Sequence, residues 1–243
     1  MLAPTSAAGL LTFALDTSTA SPSLALVRDE SPIAELWLAP EPGSGRRVLE
    51  ACHGLLVASG LTARDIDEIV VGVGPGGFTG LRIGLATALG LAQALRIPAI
   101  GASSLEALAL GIARGLPEGA LVAPIQDARR HELFAAVYRA EGGGLAEVIP
   151  PVAVAADDFA ARLAAFGAAV WIGGEGVSVA REAFTEKELH VLAPDAPAHR
   201  LSAAGLVRRV RDGAGMAARP VYARVPDAEV NRLRALAAEQ PAG

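Results

Sequence analysis

The sequence predicts an α/β protein of two lobes, each a mixed β-sheet with flanking helices. Its 243 residues suit one large domain or two lobes of about 100 residues each. Hydrophobic residues make up 52% of the chain and charged residues only 19%, which is enough apolar material for a full core. Three short strands open the chain, and helices then alternate with strands. The two halves of the chain have a similar order of elements.

The first half begins as a β-meander and continues with helix, strand and helix. Its first helix is predicted because Val48, Leu49, Cys52 and Leu55 share one apolar face, and Gly60 follows as a stop signal. A continuous apolar run and a Gly/Pro loop then lead into a long helix. The predicted elements of this half are strands 10–14, 23–27 and 33–38, helix 46–59, strand 69–73, helix 79–95 and strand 99–100.

The second half opens with a capping box, Ser103-x-x-Glu106, which begins a helix that ends near Arg114. The elements predicted after it are strands 121–125 and 132–138, a turn at 142–144, helix 157–166, strand 170–172, a glycine loop at 173–176, helix 201–211, an extended stretch at 220–223 and helix 228–238. A meander followed by helix, strand and helix suggests an actin-like or sugar-kinase-like lobe rather than a doubly wound sheet. We expect residues 1–102 to form the first lobe, joined by 218–243, and residues 103–217 to form the second.

Composition excludes several functional classes. The net charge of −5 gives no basic footprint for free-standing nucleic-acid binding, and aromatic residues, at 4%, are too few for a base-stacking platform. No uncharged run reaches the 18 or so residues of a membrane-spanning helix, and no basic residue precedes the apolar N-terminus. With Cys52 as the single cysteine, an internal disulfide is excluded, and we expect a cytoplasmic protein.

A glycine-rich stretch, Gly72-x-Gly74-x-x-Gly77, fits the spacing of a dinucleotide-binding loop between a strand and a helix. That mechanism also needs an acidic residue about 20 residues later, and none lies between Glu68 and Glu106. Pro75 removes a backbone donor from the loop as well. A tight strand-to-helix turn is therefore the favoured interpretation. A P-loop is excluded, because the one lysine, Lys187, is far from any such loop.

Two polar turns leave alternatives open. The stretch Asp16–Thr19 could hold a phosphate or a magnesium-bound water, or form an ordinary polar hairpin turn. The charged stretch from Asp127 to Glu132 could bind a phosphate or a partner carboxylate, or form a solvated hairpin tip. We predict no metal site, because the four histidines are not paired at ligand spacing. Cys52, on the apolar helix face, is predicted to be a buried structural thiol.

Five motifs resemble the TsaB family, formerly YeaZ, over about residues 10–225. They are Leu15-Asp-Thr-Ser-Thr19, Gly74-Pro-Gly-Gly-Phe-Thr-Gly-Leu-Arg-Ile-Gly84, Ile100-Gly-Ala-Ser-Ser-Leu-Glu-Ala107, Asp127-Ala-Arg-Arg-His-Glu132 and Pro220-Val-Tyr-Ala-Arg224. The resemblance implies an actin/Hsp70-like fold of two lobes. It also implies a part in forming N6-threonylcarbamoyladenosine in tRNA, beside the anticodon. In that family TsaB is the dimerisation subunit, a TsaD-type subunit transfers the group, and a TsaE-type ATPase is a further partner.

The residues themselves support a non-catalytic role, with no intrinsic cofactor or metal. An actin-like ATPase needs glycine-containing phosphate loops, and we predict only a degenerate nucleotide cleft here. Its predicted residues are Asp16, Thr17, Ser18, Asp127, Arg129, Gly173 and Gly174. ATP and metal are then expected on the partner subunits, and tRNA contacts only through the complex. The alternative is an active ATPase or small-molecule kinase of the same fold.

The long helix 79–95 is apolar nearly all round, which predicts either central burial or a partner protein. We expect it to pack beside helix 46–59, so that the outer stripes of both form one patch for the transferase subunit or for a homodimer. The predicted interface residues are Glu50, His53, Gly54, Val57, Arg82, Leu85, Ala86, Leu89 and Gln93.

Overall fold

A computed structural model of the chain describes residues 9–41, 47–185 and 189–223. The strands, in chain order, are β1 (Leu11–Asp16), β2 (Ser23–Arg28), β3 (Ser31–Trp37), β4 (Glu68–Gly72), β5 (Ala99–Ala102), β6 (Leu121–Arg129), β7 (Glu132–Glu141), β8 (Gly144–Ala155), β9 (Val170–Gly173), β10 (His190–Val191) and β11 (Met216–Ala217). The α-helices are α1 (Val48–Ala58), α2 (Phe78–Leu95), α3 (Ser104–Ala113), α4 (Ala156–Ala164), α5 (Val177–Thr185) and α6 (Ala203–Arg209).

The first sheet has the strand order β11-β5-β4-β1-β2-β3. β1 pairs antiparallel with β2 and parallel with β4, so the opening meander is extended by parallel strands. All six residues of β1 are buried, because helices cover both faces of the sheet at this central strand. This explains why apolar residues in β1 do not alternate with polar ones: Phe13, Ala14 and Leu15 are consecutive.

The second sheet has the order β10-β9-β6-β7-β8. β6 and β7 form an antiparallel hairpin, and β9 lies parallel to β6 on its other side. β8 is twelve residues long and was not predicted, because Pro150 and Pro151 interrupt its pattern. Proline is tolerated there because β8 is an edge strand and both prolines fall where its pairing with β7 shifts register, between Ile149 and Val152.

Helix α3 lies between the two sheets and joins their cores. Its Ala107 packs with α6 against the first sheet, and Leu105, Leu108 and Ile112 pack against β6 and β7 of the second. On the outer faces, α1 and α2 cover the first sheet, while α4 and α5 cover the second. The first lobe is therefore the first sheet with α1, α2 and α6, and the second lobe is the second sheet with α4 and α5.

The C-terminal part of the described chain returns to the first lobe. β11 pairs with β5, and α6 packs against β1 and β2. Residues 203–217 therefore lie with the first sheet, although the sequence assigned them to the second lobe. The rest of the predicted division, with one lobe of residues 1–102 and 218–243 and a second of residues 103–217, stays a prediction. Residues 224–243 lie outside the described residues.

Most predicted elements are confirmed within a few residues, including the N-cap of α3, where Ser103 Oγ accepts from the Glu106 backbone N–H at 3.3 Å. Three were missed besides β8: the strands β10 and β11, and helix α5. Helix 201–211 is shorter than expected, since α6 ends at Arg209 and a wider turn follows to Ala214. Helix 228–238, the arm before residue 9 and most of the loop at 41–45 lie outside the described residues.

Helix α2 is the one described helix that is long and apolar enough to cross a membrane, with 18 residues and a mean hydropathy of 1.3. A core helix of an α/β lobe passes the same test. Here its inner face, with Leu81, Leu85, Ala88 and Ala92, packs on the first sheet. We therefore interpret α2 as a helix that packs on the first sheet with its inner face and leaves its outer face exposed.

Candidate functional site

A cleft of about 630 Å³ opens between the two lobes. The first lobe contributes the turn after β1 and the start of α2, and the second contributes the tip of the β6–β7 hairpin and the start of α5. The residues that line it are Thr17, Ser18, Thr19, Ala20, Gly76, Gly77, Phe78, Thr79, Gly80, Asp127, Ala128, Arg129, Phe134, Glu175, Ser178 and Val179.

Asp16, a predicted cleft residue, lies beneath the cleft and is completely buried. Its Oδ1 accepts from the backbone N–H of Ser18 at 2.7 Å and from Ser18 Oγ at 2.6 Å, and its Oδ2 accepts from Ser104 Oγ at 2.6 Å. Burial raises the pKa of this carboxyl, although the three hydrogen bonds oppose that effect. The carboxylate fixes the turn after β1 and ties it to α3, so the arrangement favours the polar-turn interpretation over a magnesium ligand.

The glycines around the start of α2 allow close packing against that turn. A Cβ on Gly72 would overlap the Asp16 carboxylate, and Cβ atoms on Gly80 and Gly84 would overlap Thr17. Thr17 Oγ1 donates to the Gly80 carbonyl at 2.7 Å, which locks the two segments together. The contacts agree with the tight-turn interpretation of this glycine stretch rather than with a dinucleotide loop.

Asp127 and Arg129 line the cleft from the second lobe and bind each other. Asp127 Oδ1 accepts from the backbone N–H of Arg129 at 2.7 Å, and the Arg129 guanidinium lies 3.1 Å from Asp127 Oδ2. Arg129, Arg130 and His131 all have positive φ, which makes a sharp turn at the hairpin tip. The Arg129 side chain is largely exposed, so these contacts favour a solvated tip over a preformed anion site.

Gly173 and Gly174, also predicted for the cleft, lie behind it. Gly174 has a φ of +120°, and a Cβ there would overlap the Ile125 carbonyl oxygen. A Cβ on Gly173 would press against Ile112. These glycines therefore serve close packing within the second lobe. Of the seven predicted residues, the structure brings Thr17, Ser18, Asp127 and Arg129 to the cleft wall, and leaves Asp16, Gly173 and Gly174 off it.

Glu175 is the charged residue of the cleft lining that the sequence did not predict. Its Oε2 accepts from the backbone N–H of Ala20 at 3.1 Å, so it connects the second lobe to the first across the cleft. Burial raises the pKa of the Glu175 carboxyl, the nearby Asp127 carboxylate adds to this, and Arg129 partly offsets it. The sequence feature that could have pointed to Glu175 is its position as a single acidic residue between two glycines, Gly174 and Gly176.

The outer faces of α1 and α2 carry the predicted interface. The structure leaves most of these predicted residues exposed, namely Glu50, His53, Gly54, Val57, Arg82, Ala86, Leu89 and Gln93.

The prediction for Leu85 was wrong. This side chain is 5% exposed and packs in the core with Ala88, because it lies on the inner face of α2. Leu49 is a second correction, since it is 53% exposed rather than on the buried face of α1. Leu49, His53 and Val57 recur every fourth residue and form one exposed stripe.

Within residues 9–41, 47–185 and 189–223, no three His, Cys, Asp or Glu side chains come together in an arrangement that would hold a metal ion. Cys52 is buried, as predicted, and its surroundings raise the pKa of its thiol to about 11. It is therefore protonated at neutral pH and is a poor nucleophile.

The two mixed sheets, joined through α3 and open at a cleft on one side, define an actin/Hsp70-like protein of two lobes. A family model described as "TsaD: tRNA N6-adenosine threonylcarbamoyltransferase" matches residues 44–208. The solved structure of YeaZ from Pseudomonas aeruginosa has a TM-score of 0.70 and 26% identity, and covers 88% of this chain and 99% of that one. A second Pseudomonas aeruginosa structure, of an uncharacterised protein with similarity to peptidase YEAZ, has a TM-score of 0.71 and 27% identity, and covers 88% of this chain and 100% of that one.

Two curated relatives agree with these matches. The tRNA threonylcarbamoyladenosine biosynthesis protein TsaB of Bacillus subtilis is 39% identical over 137 residues, which are 56% of this chain and 58% of that protein. The Escherichia coli protein of the same name is 37% identical over 132 residues, which are 54% of this chain and 56% of that protein. The chain thus spans just over half the length of the curated relatives it matches. It belongs to the family that the model describes, as a member of the TsaB (YeaZ) group.

Proposed function

We propose that this protein is the non-catalytic scaffold subunit of the complex that forms N6-threonylcarbamoyladenosine in tRNA next to the anticodon. In this role it binds and activates a TsaD-type transferase. Its family membership and the names of its relatives support the pathway. The observation that carries the scaffold role is the apolar outer face of α1 and α2, where Leu49, Val57 and Leu89 are exposed.

This face has the composition of a protein interface. Leu49, Val57 and Leu89 are 53%, 61% and 46% exposed, on two neighbouring helices that pack on one sheet. Small residues, Gly54, Ala86 and Gly90, are exposed around them and would let a partner helix approach closely. His53, Arg82 and Gln93 supply a polar rim. Helices of a partner laid across this face would complete a bundle, with the transferase or a second copy of this chain as occupant.

The cleft supports a non-catalytic role. Asp16, the carboxylate at the end of β1, is buried, already accepts three hydrogen bonds and does not line the cleft, so it is not presented as a ligand for the magnesium ion of a nucleotide. The turn at Asp127 is held by its own ion pair with Arg129. These residues do not fit a nucleotide with its magnesium ion, so ATP and metal belong on the partner subunits. A thiol protease is not supported either, because the Cys52 thiol is buried and protonated.

The alternative function, an active ATPase or small-molecule kinase of this fold, draws on the cleft itself. Its volume of about 630 Å³ would accommodate a polar ligand of the size of a nucleotide. Tight ATP binding and hydrolysis by the isolated protein would favour this function. If the protein is a scaffold, we expect the isolated chain neither to bind ATP tightly nor to hydrolyse it.

The decisive experiment is co-purification with the TsaD-type and TsaE-type subunits, followed by reconstitution of adenosine modification on tRNA. We expect a stable complex with the transferase subunit and modification that depends on this chain. Homodimers are expected only when the transferase is absent, because both would use the face of α1 and α2. Full modification without this protein would contradict the proposal. We also propose a cytoplasmic location for the protein.

A further inference from the structure

Two aromatic side chains, which we call the aromatic pair, meet at the N-terminal end of α2. Phe78 is the first residue of the helix, and the Tyr222 ring packs against it with a centroid distance of 4.9 Å and an interplanar angle of 47°. The backbone N–H of the adjoining Val221 donates to the Val73 carbonyl at 2.8 Å, which fixes this segment to the first lobe. Tyr222 and Val221 are nevertheless 39% and 41% exposed. The aromatic pair is therefore a preformed surface with an apolar body and a polar hydroxyl tip.

The aromatic pair continues the exposed outer stripe of α2. At 100° per residue, Phe78 and Arg82 lie about 20° to either side of Leu89 around the helix axis. Leu89 is eleven residues after Phe78, which is roughly 16 Å along the helix. The stripe thus runs without a break from Leu89 through Arg82 to Phe78 and Tyr222, and it joins the proposed partner face of α1 and α2 to the aromatic pair.

The charges on this stripe are positive. Arg82 is the one charged residue within Phe78–Leu95, and Arg96 directly follows the helix. Both arginines are exposed, and neither forms an ion pair with an acidic residue in the described part of the chain. Tyr and Arg side chains are enriched at the centres of protein interfaces. A complementary surface would carry apolar side chains for the aromatic pair and carboxylates opposite the arginines.

The aromatic pair also stands at the mouth of the cleft. Phe78 lines the cleft together with Thr79 and Gly80, the next two residues of α2. The outer stripe of α2 and the cleft therefore share one residue, and a partner that covers the aromatic pair would cover this edge of the cleft as well.

We propose that the partner interface extends beyond Arg82 and ends on the aromatic pair, with Tyr222 as an anchor residue. This inference rests on the proposed scaffold function, and it adds the far end of the interface and the chemistry of the surface that fits it. The occupant is the TsaD-type subunit, through apolar side chains and carboxylates. A second copy of this chain packed α2 against α2 would offer Arg82 and Arg96 no carboxylate, because α2 contains none.

Cysteine labelling of the full-length protein tests whether the partner reaches the aromatic pair. The native Cys52 is buried and protonated, so it reacts slowly and leaves an engineered thiol as the main signal. The variants are Val221→Cys, beside an intact aromatic pair, Leu89→Cys on the proposed face, and Ile33→Cys as the control. Ile33 alternates with residues of β3 that pack under α1, such as Leu36, so it lies on the opposite face of the sheet.

Maleimide labelling of each variant, alone and with saturating TsaD-type subunit, is followed by mass spectrometry of this chain. We expect the complex to slow labelling at positions 221 and 89 about tenfold or more, and to leave position 33 unchanged. Protection at 89 without protection at 221 would overturn this inference and leave the proposed scaffold function standing. Absence of a complex, or a complex without protection at either position, would overturn both. Equal protection at all three positions would show that the slowing is not specific and would also overturn the inference.

Affinity measurements test the anchor itself. Tyr222→Ala removes an exposed ring and should fold normally, and we expect it to weaken binding to the TsaD-type subunit about tenfold or more. Tyr222→Phe keeps the ring and should bind within a few-fold of wild type. Ile33→Ala, which truncates a similarly exposed side chain outside the face, is the matched control. Wild-type affinity in a folded Tyr222→Ala protein would overturn the proposal.

Discussion

The Arg211 guanidinium lies 2.7 Å from Glu68 Oε1, and this ion pair fastens the end of the α6 segment to β4 of the first sheet. The same Arg211 nitrogen donates to Thr12 Oγ1 at 2.9 Å, and Thr12 Oγ1 donates to Glu68 at 2.7 Å. The three side chains form a closed network at a largely buried position. It explains why a segment far along the chain belongs to the first lobe.

Arg211→Ala is expected to lower the free energy of unfolding by about 2–3 kcal/mol, because it leaves the Glu68 carboxylate buried without its cation. The matched control is Arg208→Ala, whose half-exposed pair with Asp212 is worth about 0.5 kcal/mol. Urea unfolding followed by circular dichroism measures both. Equal losses for the two variants would show that the network around Glu68 contributes no more than a surface pair.

Asp16→Ala is expected to leave tRNA modification by the reconstituted complex within about tenfold of wild type, because a true catalytic acid or metal ligand typically contributes more. The variant should unfold more easily, since Ser18 and Ser104 lose their shared acceptor. Asp16→Asn, which retains an acceptor oxygen, is the control for stability. Complete loss of modification with the complex still assembled would refute the scaffold function.

The sequence predicted most of the fold, because helix and strand periodicity, capping and glycine turns are local signals. It identified α1, α2 and α3 and the β2–β3 and β6–β7 hairpins before any contact was known. It missed β8, where two prolines conceal a strand that only an edge position tolerates, and it misplaced α6, whose burial depends on a distant sheet.

The candidate site was predicted less completely than the fold. Helical spacing placed Val57 and Leu89 outside, but Leu85 and Leu49 each lie near the boundary of an apolar face, where a rotation of a few tens of degrees decides burial. Glu175 could not be assigned to the cleft from the sequence. Its partner, Ala20, is 155 residues away and contributes only a backbone N–H, which leaves no pattern in side chains.

The isolated protein is expected to bind tRNA weakly, at micromolar affinity or worse at physiological salt, because the chain has a net charge of −5. Its densest basic run is already engaged: Arg208 pairs with Asp212, Arg209 with Glu106 at 2.7 Å, and Arg211 with Glu68. Fluorescence anisotropy with labelled tRNA measures the affinity. Nanomolar binding by the purified subunit would contradict this prediction.

Stability is expected to depend on pH through Glu175. The pKa of Glu175 in the folded protein is raised above its ordinary value of 4.5, so folding favours the protonated carboxyl. The protonated carboxyl therefore contributes fully to stability below pH 4.5, and this contribution is lost as the pH rises through the folded-state pKa. The pKa of Asp16 is likewise raised above its ordinary value of 3.8, so Asp16 also makes the folded state less stable as the pH rises. Glu175→Gln should therefore reduce the loss of stability on going from acidic to neutral pH. The exposed Glu182→Gln on α5 is the control, and denaturant midpoints at several pH values provide the measurement. An unchanged pH profile in Glu175→Gln would contradict the assigned burial.

Leu89→Glu is expected to abolish binding to the TsaD-type subunit while the chain remains folded. Leu89 is 46% exposed on the outer face of α2, so a carboxylate there is solvated in the free protein, but it would be buried and unpaired in a complex. Several kcal/mol of association would then be lost, roughly a hundredfold or more in affinity. Ile33→Glu adds the same charge at a similarly exposed position on β3 and should bind normally. Leu85→Glu, in contrast, should unfold the first lobe, because that side chain lies in the core. Circular dichroism and a pull-down with the transferase subunit separate these outcomes, and wild-type binding by a folded Leu89→Glu protein would remove this helix face from the interface.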